Sequence, residues 1–331
     1  FCFHLHLLSS TIFIYQIENN MESQKAKVAM YVKRSFGDKM NASFDFIKEN
    51  WKPLFKFATY LILPLCLIQA LSLNGLMNGS MGITMGVKAG AANPLADFGT
   101  MFWVNYGLTI ICYLIGSVIL TSLVYALIKT YNEREERLEG VTLSSLKSLL
   151  FKNVGRLLKL TLFGILIMII LCVVMGLLAA LTPFTLILTL PMLVACVIPL
   201  SLFSPIYLFE NIGIWEAFKK TYRLGFATWG GVFLIALIMG LIGGILQGIT
   251  MLPWYVATIV KYFFAMSDSG SAVTISPVYN FFLYLMGILQ AFGMYLSTIF
   301  TIIGLAYQYG HASEVVDSVS VEEDIDNFDN L

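Results

Sequence analysis

Charge is what this sequence has least of. Only 12% of its 331 residues are Asp, Glu, Lys or Arg, and three are histidine. A soluble domain carries about 25% charged residues, because charged side chains keep an exterior in water. The apolar share is 58% and the mean hydropathy +0.80. A water-facing globular fold is therefore excluded, and so is a disordered chain, which needs low hydrophobicity. Basic and acidic residues balance at 20 each, so there is no basic excess to suggest nucleic acid as a partner. The five cysteines, Cys2, Cys66, Cys112, Cys172 and Cys196, show no close pairing and read as small apolar packing residues. The chain has no HExxH, Walker loop, GxSxG or Rossmann glycine fingerprint. No nucleophile–base pair or metal-ligand set stands out, so the expectation is a non-enzyme without cofactor or metal.

What the sequence has instead is long apolar text. A bilayer core of about 30 Å takes about 20 residues of helix at 1.5 Å each. Charge-free stretches of that size predict spans at 57–76, 104–127, 160–181, 186–209, 229–251 and 280–307. The run from Leu160 to Phe209 is too long for one crossing, and Thr182-Pro183 breaks it into two. The predicted class is an all-α polytopic membrane protein with six transmembrane helices in three hairpins. Eighteen of the twenty Lys and Arg precede span one or lie between spans two and three or four and five; only Lys88 and Lys261 lie on the alternate side. The positive-inside rule then places both termini in the cytoplasm.

The predicted organisation is a cytoplasmic amphipathic segment at 21–56, a membrane domain at 57–310 and an acidic tail at 311–331 without Lys or Arg. Residues 1–20 hold one charge and no Met, and read as translation upstream of a start at Met21. The outer segment Gly75–Gly99, rich in glycine with Met77, Met81 and Met85 four apart, reads as a flexible or membrane-dipping loop.

Each cytoplasmic segment carries an apolar stripe at helical spacing: Phe36, Met40, Phe44, Ile47 and Trp51; Leu143, Leu146, Leu150, Val154 and Leu157, with Thr142 as N-cap; and Ile214, Phe218, Tyr222 and Phe226. Such helices lie in the headgroup plane with basic side chains toward anionic lipid. Lys48, Lys52, Lys147, Lys152, Lys219, Lys220 and Arg223 are the candidate headgroup contacts, and membrane lipids the first expected partner. Asn50-Trp51, Asn153-Val154 and Thr228-Trp229 rhyme at steps of 103 and 75 residues. That rhyme suits three similar units or mere amphipathic connectors.

Inside the spans there is essentially no charge, which argues against a proton pump or voltage sensor. Pro191, Pro199 and Pro205 remove backbone donors from span four and, with Gln247 and Gln290, mark a candidate ligand cavity. A bent, packed helix is the alternative. Gly240, Gly244 and Gly248 form overlapping GxxxG steps, candidates for close packing on a neighbouring helix, a homo-oligomer or another membrane protein.

The run from Glu216 to Leu224 (Glu-Ala-Phe-Lys-Lys-Thr-Tyr-Arg-Leu) and that from Ala42 to Trp51, leading into span one, resemble bacterial YciC-like membrane proteins. They are also similar to the membrane domain fused to some glycerophosphodiester phosphodiesterases. The resemblance covers about Ser35 to Gly310. It implies a six-helix protein of a bacterial inner membrane tied to lipid or envelope physiology. It brings no catalytic residues, because the fused enzyme domain has no counterpart here. The expected role is an accessory or scaffold protein; the alternative is a transporter of a lipid or small apolar solute beside span four.

Overall fold

A computed structural model of the protein describes residues 26–88, 99–182, 184–267 and 276–320. Every regular element among them is helical: α1 (Phe36–Lys88), α2 (Thr100–Glu133), α3 (Leu143–Leu181), α4 (Thr185–Val197), a 3₁₀ turn (Ile198–Leu202), α5 (Phe203–Phe209), α6 (Ile214–Ala227), α7 (Trp229–Ser267) and α8 (Pro277–Val316). Six stretches are long and apolar enough to cross a membrane: one each in α1, α2, α3, α7 and α8, and one from Thr189 through α5. The six-span class of a multi-pass membrane protein therefore stands. Residues 1–25 and the acidic tail from 321 onward lie outside the described residues.

The helices run longer than the apolar text alone suggests. α7 continues to Ser267, so Lys261 sits on a helix and not in a loop. α1 likewise continues through Gly75 to Lys88, which corrects the loop expected from Gly75; residues 89–98 are outside the described set. Where water is scarce a chain must satisfy its backbone bonds internally, and Leu and Met carry the helix through the isolated glycines.

Two of the amphipathic segments are separate helical pieces and one is not. α1 breaks at Asn50, whose backbone is non-helical at φ −114°, ψ 17°. Pro53 supplies the cause: it has no N–H for the Glu49 carbonyl, and its ring crowds the preceding turn. α6 ends at Thr228 with φ −122°, ψ 29°, just before α7. α3 instead runs unbroken from Leu143 into its span, so the second segment is no separate surface helix. No proline or glycine pair interrupts it, and Thr142 caps it in a reciprocal pair with Ser145. The interruption of the middle pair falls in its second helix, at the 3₁₀ turn between α4 and α5.

The second stripe packs against the rest of the chain, with Leu146 and Leu157 buried. In the first and third, small and polar residues face the protein. α1 buries Lys39, Ala42, Ser43, Phe46 and Asn50, while Phe36 and Trp51 are exposed. α6 buries Ala217, Thr221, Leu224 and Gly225, while Trp215 and Phe226 are exposed. Beside lipid, large apolar side chains can face outward and small or polar ones face protein.

The first and last helix pairs repeat one another at a constant step of 178 residues. Phe36 and Ile214 open their helices, and Asn50 and Thr228 break them. Each break residue turns its side chain back onto the carbonyl four residues earlier, Asn50 Nδ2 to Phe46 at 3.0 Å and Thr228 Oγ1 to Leu224 at 2.9 Å. Ser43 and Thr221 do the same to Lys39 and Ala217, at 2.8 and 2.7 Å. Leu54 and Val232, then Phe57 and Ile235, occupy the same buried register. Tyr131 and Tyr309 close the pattern, each with its hydroxyl on a carboxylate.

α8 is the helix around which the others gather; α1, α2, α6 and α7 all pack on it. Close approach rests on glycine. A Cβ on Gly243 of α7 would stand 2.5 Å from the Ser297 carbonyl of α8, and one on Gly287 would stand 3.3 Å from Ala70 of α1.

Candidate functional site at the charged end

Contacts between distant parts of the chain collect the start of α1, the ends of α2, α5 and α8, and all of α6 at one end of the bundle. Three polar clusters hold that end together. In the first, Glu49 accepts from Arg137 Nη1 at 2.7 Å and from the Tyr131 hydroxyl at 2.9 Å. Tyr131 in turn accepts from the Val28 N–H, and Lys27 donates to the free carbonyls of Asn132 and Arg134 at the end of α2. A cation on those last carbonyls suits the negative end of a helix. Burial and the nearby Arg137 push Lys27 below the ordinary lysine range.

In the second, Lys220 lies between Glu210 at 2.8 Å and Asp317 at 2.9 Å, while Arg223 reaches the same Asp317 at 2.8 Å. The Tyr309 hydroxyl donates to the other oxygen of Glu210 at 2.7 Å. Burial opposes the Lys220 charge, but the two carboxylates outweigh it and hold the ammonium above its ordinary range. Lys220 is thus a clamp between α5, α6 and α8. Among the candidate headgroup contacts it is the half-buried one, whereas Lys48, Lys52, Lys147, Lys152, Lys219 and Arg223 are exposed. Trp51, Phe55, Phe151, Trp215 and Phe226, all large and exposed, lie close to them in sequence. That composition suits a membrane interface, where aromatic rings and basic side chains sit at headgroup level.

The third cluster lies deeper. Lys39, 4% exposed, donates from Nζ to Gln308 Oε1 at 2.8 Å. Gln308, fully buried, passes its amide to Thr228 Oγ1 at 3.3 Å. On the same turn of α8, His311 Nδ1 accepts from the Arg34 backbone N–H at 3.0 Å. Sequence reasoning counted Lys39 only as one of the orienting charges; its burial follows from the face that α1 turns to the protein, which no local pattern signals.

The three prolines of span four have different surroundings. Pro191 is exposed on α4. Pro199, buried in the 3₁₀ turn, packs on α6, where a Cβ on Gly225 would come within 2.5 Å of it. The carbonyl that Pro199 leaves without a donor is that of Ala195, and the Trp229 indole N–H supplies the bond at 3.0 Å. Pro205 is in the core, and Tyr125 reaches Ser204 beside it at 3.2 Å. Gln247 is half-buried on α7, and Gln290 is buried on α8 with Oε1 unpartnered. No hydrogen bond joins either glutamine to the prolines. The intramembrane glutamine that does bridge helices is Gln69, whose Oε1 lies 2.6 Å from the Tyr295 hydroxyl.

Gly240, Gly244 and Gly248 are all exposed with nothing within 4 Å of an added Cβ. Beside that motif it is Gly243, one step outside it, that meets α8. Among the described residues Cys66 and Cys112 are buried, Cys196 is half-buried and Cys172 is exposed, all free thiols. No group of three or more His, Cys, Asp or Glu converges among the described residues. No family model matches the chain, and neither the curated proteins nor the solved structures contain a match.

Proposed function

We propose that this chain is a non-enzymatic scaffold of a bacterial inner membrane, with both termini cytoplasmic, whose tightly tied charged end carries a lateral helix pair for a membrane partner. The observation behind this reading is the uneven packing of the spans. The most apolar window of α3 buries none of its residues within the chain, whereas the windows of α1, α2, α7 and α8 bury 39%, 56%, 22% and 50%. Ile170, Val174 and Leu177 of α3 and Ile187 and Met192 of α4 are exposed along that pair. α3 and α4 are fixed to the rest near the charged end, where Arg156 donates to the Tyr207 and Ile212 carbonyls and lies over the Tyr207 ring. Such a pair is available to another transmembrane segment, where van der Waals packing drives association. The exposed basic and aromatic residues at the charged end orient the scaffold against anionic lipid.

Photocrosslinking in intact membranes tests this. A photoreactive residue at Ile170, Val174 or Leu177 is expected to trap one and the same polypeptide in stoichiometric yield. The same probe at Ile245 or Ile249, exposed on α7, is expected to trap lipid only. Lipid adducts alone at all positions refute the scaffold reading and direct attention to flux of a lipid or apolar solute.

A further inference from the structure

The ammonium of Lys39 lacks the counter-charge that a buried cation requires. Its one hydrogen bond goes to the neutral Gln308, and no carboxylate among the described residues pairs with it. The carboxylates around this end are engaged elsewhere: Glu49 with Arg137, Glu210 and Asp317 with Lys220, Glu314 with Ser320, and Asp38 with Ser35. Leaving such a charge buried and alone is costly, because nothing replaces the water it has lost. Two further basic side chains stand close by, His311 and Arg34, both within electrostatic reach of one another, and Lys39 acts on His311 as well.

The internal repeat shows that the lysine is a departure. At the 178-residue step its counterpart is Ala217, fully buried on the same face, with the same hydroxyl-to-carbonyl bond from the residue four further on. Packing at this register therefore needs only a methyl group. α7 also makes room for the polar pair: a Cβ on Gly231 would stand 3.0 Å from both Lys39 Nζ and Gln308 Nε2.

We propose that Lys39, Gln308 and His311 form an anion site for a phosphate-type ligand at the charged ends of α1, α7 and α8. The donors are the two unused N–H groups of the Lys39 ammonium and the second amide hydrogen of Gln308. The fourth is Nε2–H of His311, which carries the proton because Nδ1 accepts from Arg34. Charge-assisted hydrogen bonds of this kind are the strong ones. The phosphate is either free in solution or the headgroup phosphate of an inner-leaflet lipid.

The test uses the whole chain purified in a neutral detergent. Thermal midpoints are read with inorganic phosphate against sodium chloride of equal ionic strength. Retention of phosphatidylglycerol against phosphatidylcholine is read by native mass spectrometry. The expected result is saturable stabilisation by one probe. Inorganic phosphate acting alone identifies the free ion, and one retained phosphatidylglycerol per chain identifies the headgroup. Lys39→Met is expected to weaken that binding about tenfold or more, and Lys39→Arg to keep it. Should Lys39→Met not fold, His311→Phe is read instead and is expected to weaken binding several-fold. Three results overturn the proposal. One is no saturable binding to wild type, and another is binding unchanged in these variants. The third is binding that appears only after residues 321–331 are removed, which places the acidic tail in the site.

Discussion

Replacing Gly243 by alanine, beside the same change at Gly244, separates packing from motif. The two residues are adjacent on α7, but only Gly243 meets α8. A Cβ at Gly243 falls 2.5 Å from the Ser297 carbonyl oxygen, and at Gly244 it meets nothing within 4 Å. Ordinary contact for a Cβ begins near 3.4 Å, so α7 and α8 would have to separate by close to an ångström in Gly243→Ala. The obstructing atom is backbone and cannot rotate away. Overpacking of this kind costs about 1–3 kcal/mol. Gly244→Ala has no such cost and gains up to about 1 kcal/mol of helix propensity. The variants should therefore differ by about 2 kcal/mol or more, with Gly243→Ala the less stable. Reversible unfolding in mixed micelles, followed by tryptophan fluorescence, reads the difference directly. Equal stabilities, or a larger loss at Gly244, would refute the assigned face of α7.

Tyr295→Phe removes the hydroxyl shared by Gln69 Oε1 and the Cys112 carbonyl; unfolding should show a loss of about 0.6–1.7 kcal/mol, as for other interhelical bonds in membranes. Trp229→Phe strips the Ala195 carbonyl of its donor beside Pro199; a loss of about 1–2 kcal/mol is expected, and no loss would mean the bond is unimportant. Lys220 is held above its ordinary value of 10.5, so its contribution is complete below about pH 10.5 and disappears as pH rises through the higher folded value. The midpoint of Lys220→Met, compared with wild type across that alkaline range, should converge with it at the top; parallel curves would contradict the clamp between Glu210 and Asp317.

The six spans were legible because hydrophobic length is a property of composition, and so was the breaker between Leu181 and Thr185. Helix ends were less legible. Text such as Gly75-Leu76-Met77-Asn78 reads as loop in water, yet it stays helical where the backbone must satisfy itself. The direction each face points was the main loss. The stripe Phe36–Met40–Phe44 marks an amphipathic helix, but nothing in it tells that Lys39, Ser43 and Phe46 turn toward the protein. Of the repeat, the rhyme of Asn50-Trp51 with Thr228-Trp229 was legible, but its extent was not. Trp51 and Trp229 or Gln69 and Gln247 match at its step, and these sparse identities become a pattern only beside the shared breaks at Asn50 and Thr228. The lysine cluster at Gln308 joins residues 269 apart in sequence, beyond any local signal.

Sided labelling is the most direct measurement of the arrangement that everything else depends on, the gathering of the basic junctions on one face of the membrane. Single cysteines replacing the exposed Lys48, Lys147 and Lys219, in a chain with its own cysteines removed, are to be labelled with a membrane-impermeant maleimide in intact cells and in inverted vesicles. All three should react only in inverted vesicles, and a cysteine at Val278, at the other end of α8, only in intact cells. Labelling of the three lysine positions split between the two preparations would contradict the six-span topology outright.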